Sequence, residues 1–108
     1  MTNFGEYIKK LREEKGWTQT EFGAMIGINS SAISRIENNS KNLNFEKLDK
    51  LSEIFNVDLM DLKEIYFANK FARDIIKYDC PDSALLLAEK TVQYLKSKNT
   101  KQLKFDTL

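Results

Sequence analysis

Two short helical segments in the first half of the chain are joined by only three residues, Gly27-Ile28-Asn29. The first segment begins at Thr18 in a Thr-Gln-Thr-Glu capping box, and the second starts at Asn29 or Ser30 and ends near Asn38. Gly27 can adopt the left-handed backbone that ends a helix and turns the chain sharply. Gly23 lies mid-helix, where glycine is roughly 1 kcal/mol worse than alanine, so the next helix is expected to cross very closely there. The pattern predicts two helices held at a sharp corner.

In the rest of the chain, apolar residues also recur at the spacing of short amphipathic helices, which are separated by small polar breaks. Further helices are predicted from Asn3 to about Gly16, Asn44 to Asn56, Asp58 to about Lys77 and, with Pro81 in its first turn, Asp82 to about Lys96. No alternating apolar pattern indicates a strand, so the sequence predicts an all-α fold. The expected organisation is a domain at 1–65, a helical extension at 66–96 and a flexible tail at 97–108.

Composition narrows the class of protein. With 108 residues there is room for one compact domain and a short appendage. Cys80 is the single cysteine, so we expect no disulfide within the chain and a cytoplasmic location, and no apolar run suggests export or a membrane span. The chain has no histidine, no cluster with metal-ligand spacing and no glycine-rich phosphate loop, so we expect no enzyme activity, metal or cofactor.

The exposed face of the third predicted helix carries small polar groups and one long cation. Its residues are Asn29, Ser30, Ser31, Ser34 and Arg35, opposite the apolar Ile33 and Ile36. A helix with such a face can enter a DNA groove about 12 Å wide, whereas a merely solvated helix more often displays Glu and Lys. The net charge of +1 counts against a broad phosphate-binding surface, so any DNA interface must come from local arrangement. Thr18 and Gln19, at the start of the second helix, offer donors for a phosphate.

Several linked motifs carry a resemblance to a known family. They are Ile8-Lys-Lys-Leu-Arg12, Gly16-Trp-Thr-Gln19, Glu21-Phe22-Gly23, Gly27-Ile28 and Ile33-Ser-Arg-Ile-Glu37. Over about residues 4–65 the chain resembles the phage-repressor or Xre-type helix-turn-helix regulators. The resemblance implies a five-helix bundle, here with an extended fifth helix and an additional C-terminal helix. It also implies that the protein binds double-stranded DNA as a homodimer on a two-fold symmetric operator.

The resemblance further implies roles for individual residues. Ser30, Ser31 and Arg35 align with readers of base edges, although serines in place of longer amides specify few bases and leave the operator undetermined. Gln19, Asn38, Lys41 and Asn42 align with phosphate contacts. Arg12 and Glu37 align with a partly buried salt bridge between the first and third helices.

The last two predicted helices carry more apolar residues than they need for one stripe packed against the first four helices. We expect the additional apolar surface to form the homodimer interface. The residues assigned to it are Ile65, Phe71, Ile75, Leu85, Leu86, Ala88, Val92 and Leu95. In the alternative, the sixth helix completes the core of the monomer. Among regulators, a restriction-modification controller is the first expectation. An antitoxin whose C-terminal helices bind a protein partner is the second. The alternative from another class of protein is a protein-interaction module without DNA binding.

Overall fold

The structure, a computed structural model, describes residues 3–106, and the side chains of residues 3–99. Its helices are α1 (Phe4–Glu14), α2 (Gln19–Ile26), α3 (Ser30–Glu37), α4 (Leu48–Phe55), α5 (Leu59–Lys77) and α6 (Ser83–Asp106), with a 3₁₀ turn at Phe45–Lys47 before α4. Residues 3–106 contain no strand, which confirms the predicted all-α class. None of the helices in this range is both long and apolar enough to cross a membrane.

Side-chain caps fix where the first three helices begin. The Asn3 side chain accepts a hydrogen bond from the Glu6 backbone, and Thr18 forms both halves of the predicted capping box. Of the two predicted starting residues for α3, Asn29 is the cap and Ser30 is the first residue of the helix. The fourth helix differs from prediction because Asn44 caps the 3₁₀ turn, and α4 begins only at Leu48.

The corner between α2 and α3 depends on two glycines. Gly27 has φ of 73° and ends α2 in the left-handed conformation, as the sequence predicts. At Gly23 a Cβ atom would come closer than 3.0 Å to the carbonyl oxygen of Ile28 and would lie 3.3 Å from Cγ1 of Ile33. The close approach is confirmed, but the nearest obstacle is the backbone of the corner and not the crossing helix itself.

One hydrophobic core holds α1 to α5 together. Its buried members are Phe4, Ile8, Phe22, Ile26, Ile33, Ile36, Leu43, Leu48, Leu51, Phe55, Leu62 and Tyr66. Trp17, Ile65 and Phe67 pack against it from the edge. The underside of α3 is therefore anchored in the core, so its opposite face is fixed in orientation.

The chain divides into two compact units, Met1–Ala72 and Arg73–Leu108. In the second, α6 starts at Ser83, so Pro81 precedes the helix and does not lie in its first turn. The helix continues past Lys96, its predicted end, to Asp106. Residues 107–108 of the predicted flexible tail lie outside the described residues. Of the described α6 side chains all but Ala84 are exposed.

Candidate nucleic-acid interface

The small polar face of α3 is open to solvent. Ser30, Ser31 and Arg35 are exposed, and Ser34 is half-buried. Arg35 makes no ion pair among the described residues, so its five donors are available to an external group. On the opposite side, Ile33 and Ile36 are buried and hold the helix in place.

Local hydrogen bonds define both ends of α3. Asn29 is exposed, and its side-chain oxygen accepts a hydrogen bond of 2.8 Å from the Ala32 N–H. At the other end, the exposed Asn38 accepts hydrogen bonds from the backbone and hydroxyl of Ser40. The carbonyl of Arg35 accepts from the same two groups of Ser40. Asn29 and Asn38 thus cap and close α3, and both remain at the surface.

The start of α2 is built by the capping box. Thr18 is exposed, and its backbone N–H donates to the Glu21 carboxylate at 2.9 Å, while its hydroxyl accepts from the Glu21 N–H at 3.0 Å. The backbone hydrogen bond from Thr18 lowers the pKa of Glu21, and the hydroxyl of Thr18 adds to the effect. The N–H groups of Gln19 and Thr20 have no acceptor within the helix, so they can meet a phosphate.

A buried ion pair ties the three helices of this region together. Arg12 donates to the Glu37 carboxylate through Nε at 2.6 Å and Nη2 at 3.0 Å, and through Nη1 to the Trp17 carbonyl at 2.7 Å. The hydrogen bond to Glu37 raises the pKa of Arg12, against the opposing effect of burial. Gln19 joins this network, since its Nε2 donates to Glu37 at 3.1 Å. The predicted salt bridge is present, and Gln19 has an internal partner that the sequence did not predict.

The loop after α3 carries two further predicted contact residues, Lys41 and Asn42, and both are exposed. Two side chains of α5 hold this loop. Asn69 Nδ2 donates to Asn39 Oδ1 at 2.8 Å, and the Tyr66 hydroxyl donates to the Leu43 carbonyl at 2.6 Å. Sequence reasoning missed both bonds because nothing local signals a contact between residues 23 or 30 positions apart.

The residues assigned to the dimer interface divide into three groups. Phe71, Leu85, Leu86, Ala88, Val92 and Leu95 are exposed. Ile75 is half-buried, while Ile65 packs against the core of its own unit. Within the part of the chain that the structure describes, no group of three acidic, cysteine or histidine side chains could hold a metal ion.

A capped helix, a glycine corner and a second helix with an open polar face define the helix-turn-helix class of DNA-binding domain. Residues 8–62, about half of the chain, match the helix-turn-helix family. The chain belongs to this family, and its domain is of the Xre type found in transcription regulators.

Named relatives share this domain. Control protein C.MunI of a Mycoplasma species is 37% identical over 60 residues, which cover 55% of this chain and 81% of that protein. Antitoxin PezA of Streptococcus pneumoniae is 36% identical over 58 residues, and the chain spans only 37% of its length. The P22 c2 repressor, solved in complex with a synthetic operator, has a TM-score of 0.53 and 29% identity over 57% of this chain and 94% of its own.

Proposed function

We propose that this chain is a sequence-specific transcription regulator that reads the major groove of double-stranded DNA with α3. The observation that carries the proposal is the open face of α3, where Ser30, Ser31 and an unpaired Arg35 stand opposite a buried isoleucine side. An α-helix is about 10–12 Å across with its side chains, which matches the width of the major groove. The operator-bound P22 repressor and the C.MunI controller, both similar to this chain, support this reading.

Arg35 is assigned the main role in specificity. A guanidinium can donate two parallel hydrogen bonds to O6 and N7 of guanine, a contact worth about 1–3 kcal/mol of discrimination against a wrong base. Ser30 and Ser31 add short hydrogen bonds near the helix start, with Asn29 and Ser34 beside them on the same face.

Phosphate contacts are assigned to the groups around this face. Thr18 and Gln19, with the N–H groups at the start of α2, would contact phosphates of one strand. Further phosphate contacts would come from the residues after α3 in the sequence, Asn38, Lys41 and Asn42. Such contacts fix the register of the protein on the duplex and carry little sequence information.

We further propose that the regulator is a homodimer on a two-fold symmetric operator. The supporting observation is an unpartnered apolar stripe on α6, where Leu85, Ala88, Val92 and Leu95 recur at helical spacing and are all exposed. A second copy would cover this stripe, and Phe71 and Ile75 of α5 are the further residues that we assign to the homodimer contact. In such a dimer, the α3 helices of the two copies would contact half-sites about 34 Å apart, which is one turn of DNA. Control of a restriction-modification operon in the cytoplasm is the favoured role, given the C.MunI relative.

A selection experiment tests DNA reading. The wild-type protein is incubated with duplexes of randomised sequence, and bound duplexes are recovered and sequenced. We expect the wild-type protein to select a two-fold symmetric site. Arg35→Ala should lose the preference for one guanine per half-site, whereas Gln19→Ala should weaken binding to all sites alike. Lys90→Ala, which removes one exposed cation from α6, is the matched control and keeps the wild-type preference. Recovery of no preferred sequence contradicts the proposal.

Sedimentation across a concentration series tests the dimer. Val92→Asp places a charge in the apolar stripe of α6, and Lys90→Asp places the same charge on the opposite side of that helix. We expect wild type and Lys90→Asp to be dimeric and Val92→Asp to be monomeric. A wild-type monomer at high micromolar concentration contradicts homodimerisation.

The same exposed stripe favours a second candidate, an antitoxin-type regulator whose C-terminal helices bind a partner protein. The PezA relative supports it. Co-expression with the product of the adjacent gene tests this candidate. Co-purification that Val92→Asp abolishes and Lys90→Asp preserves supports the antitoxin role, whereas retention of the partner by Val92→Asp removes α6 as its docking site.

A further inference from the structure

The loop from Asn39 to Leu43, which joins α3 to the 3₁₀ turn, is held at both ends by side chains of α5. At its start, the Asn39 side-chain oxygen accepts a hydrogen bond of 2.8 Å from Asn69. At its end, the Leu43 carbonyl accepts one of 2.6 Å from the Tyr66 hydroxyl. Lys41 lies between these two points and is exposed. Both ends of the segment that presents Lys41 are therefore fixed to the same helix.

The donor Tyr66 and the acceptor Asn39 are each fixed by local structure. Tyr66 is buried, and its ring makes edge-on contacts with Phe4 at 5.2 Å and Phe67 at 5.0 Å between centroids. Burial also raises the pKa of Tyr66. Asn39 has φ of 66°, a left-handed conformation that asparagine tolerates better than most residues. This backbone geometry directs the chain away from α3 while its side chain meets Asn69.

We propose that Asn69 and Tyr66 are positioning residues for DNA binding, which hold the loop so that Lys41 meets a backbone phosphate. This inference rests on the proposed function. A loop that is ordered before DNA arrives does not have to be ordered on binding, so its contact contributes more of its gross energy to affinity. Lysine binds phosphate as a flexible point charge, which makes the placement of its backbone important. Helix α5 thereby acts in DNA recognition without touching DNA.

A double-mutant cycle between Asn69 and Lys41 tests the proposal. The probe is a fluorescein-labelled mixed-sequence duplex of about 30 base pairs, roughly three helical turns, because phosphate contacts also operate on non-specific DNA. Affinity is measured by anisotropy across a salt series for wild type, Asn69→Ala, Lys41→Ala and the double variant. Gln93→Ala, which removes an amide side chain at an exposed position of α6 outside the apolar stripe, is the matched control.

We expect Lys41→Ala to lower the slope of log affinity against log salt by about one. Asn69→Ala should weaken binding about two- to tenfold, the range of one net hydrogen bond, and should reduce the slope in the same direction. In the Lys41→Ala background, Asn69→Ala should have no further effect. Tyr66→Phe, which removes only a hydroxyl, should follow the same pattern, and Gln93→Ala should bind as wild type does.

A role in stability alone predicts a different result. If Asn69→Ala weakens binding equally with and without Lys41, or not at all, the positioning role is overturned while the proposed function stands. If Lys41→Ala leaves affinity and slope unchanged, the loop does not present a phosphate contact and the inference is also overturned. If the wild-type protein binds no duplex at the lowest salt, the proposed function fails and the positioning role with it.

Discussion

Substitution of Gly23 by alanine sets two opposing effects against each other. Alanine is a better helix former than glycine by about 1 kcal/mol, so propensity alone predicts that Gly23→Ala stabilises α2. The added Cβ, however, would come within 3.0 Å of the Ile28 carbonyl oxygen and lie 3.2 Å from the carbonyl carbon. These are backbone atoms of the corner, which cannot rotate away as the end of a side chain can.

The magnitudes decide the sign. Forcing extra atoms into a well-packed site costs typically about 1–3 kcal/mol and occasionally more. The obstacle here is backbone, and Cγ1 of Ile33 at 3.3 Å blocks a small shift of Gly23 toward α3, so the upper part of that range applies. After the gain in propensity, we expect Gly23→Ala to lower the free energy of unfolding by about 1–2 kcal/mol, or Tm by roughly 4–16 °C.

Thermal unfolding followed by circular dichroism measures the effect, with Ala24→Gly as the matched control. Ala24 is exposed on the same helix, and its replacement by glycine should cost about 1 kcal/mol through propensity alone. Both substitutions should therefore destabilise the protein although they exchange the same two residues in opposite directions. A Gly23→Ala variant more stable than wild type would refute the close approach of the corner to α2.

Two further predictions concern charged groups. Glu37→Ala leaves the buried Arg12 guanidinium without its carboxylate and should cost about 3–5 kcal/mol in urea unfolding, whereas Arg12→Met combined with Glu37→Met should recover most of the loss. Equal losses in the single and double variants would show that the ion pair is not the cause. For Glu21, the lowered folded-state pKa means that its contribution to stability is complete above the ordinary glutamate pKa and is lost as the pH falls through the folded value. The Tm of wild type should therefore fall more steeply on acidification than that of Glu21→Gln, and parallel curves would contradict the charged half of the capping box.

Local signals in the sequence account for most of the helix boundaries. Asn3, Thr18 and Asn29 each cap a helix at its predicted start, and Asn56 ends α4 with φ of 53°. Helix caps and left-handed residues at helix ends depend on only three or four neighbouring residues, so they can be recognised in a single sequence. The end of α6 was missed because no glycine or proline follows Lys96, and polar residues alone do not stop a helix.

Contacts between distant segments were harder to predict. The Arg12–Glu37 pair was expected through a family resemblance, but the bond of Gln19 to Glu37 was not. The bonds of Tyr66 and Asn69 to the loop after α3 also escaped prediction. Such pairs depend on how α5 packs across the core, which no local spacing encodes. The contacts of α3 with bases and of α6 with a second copy stay predictions, since both require a partner molecule.

Methylation interference on the selected duplex tests the central claim most directly. Methylation of guanine at N7 alters the major groove and blocks the bidentate contact assigned to Arg35. We expect interference at guanines in two positions about one helical turn apart, and loss of that interference in Arg35→Ala. Interference confined to adenine N3, which faces the minor groove, or an unchanged guanine pattern in Arg35→Ala would contradict reading of the major groove by α3.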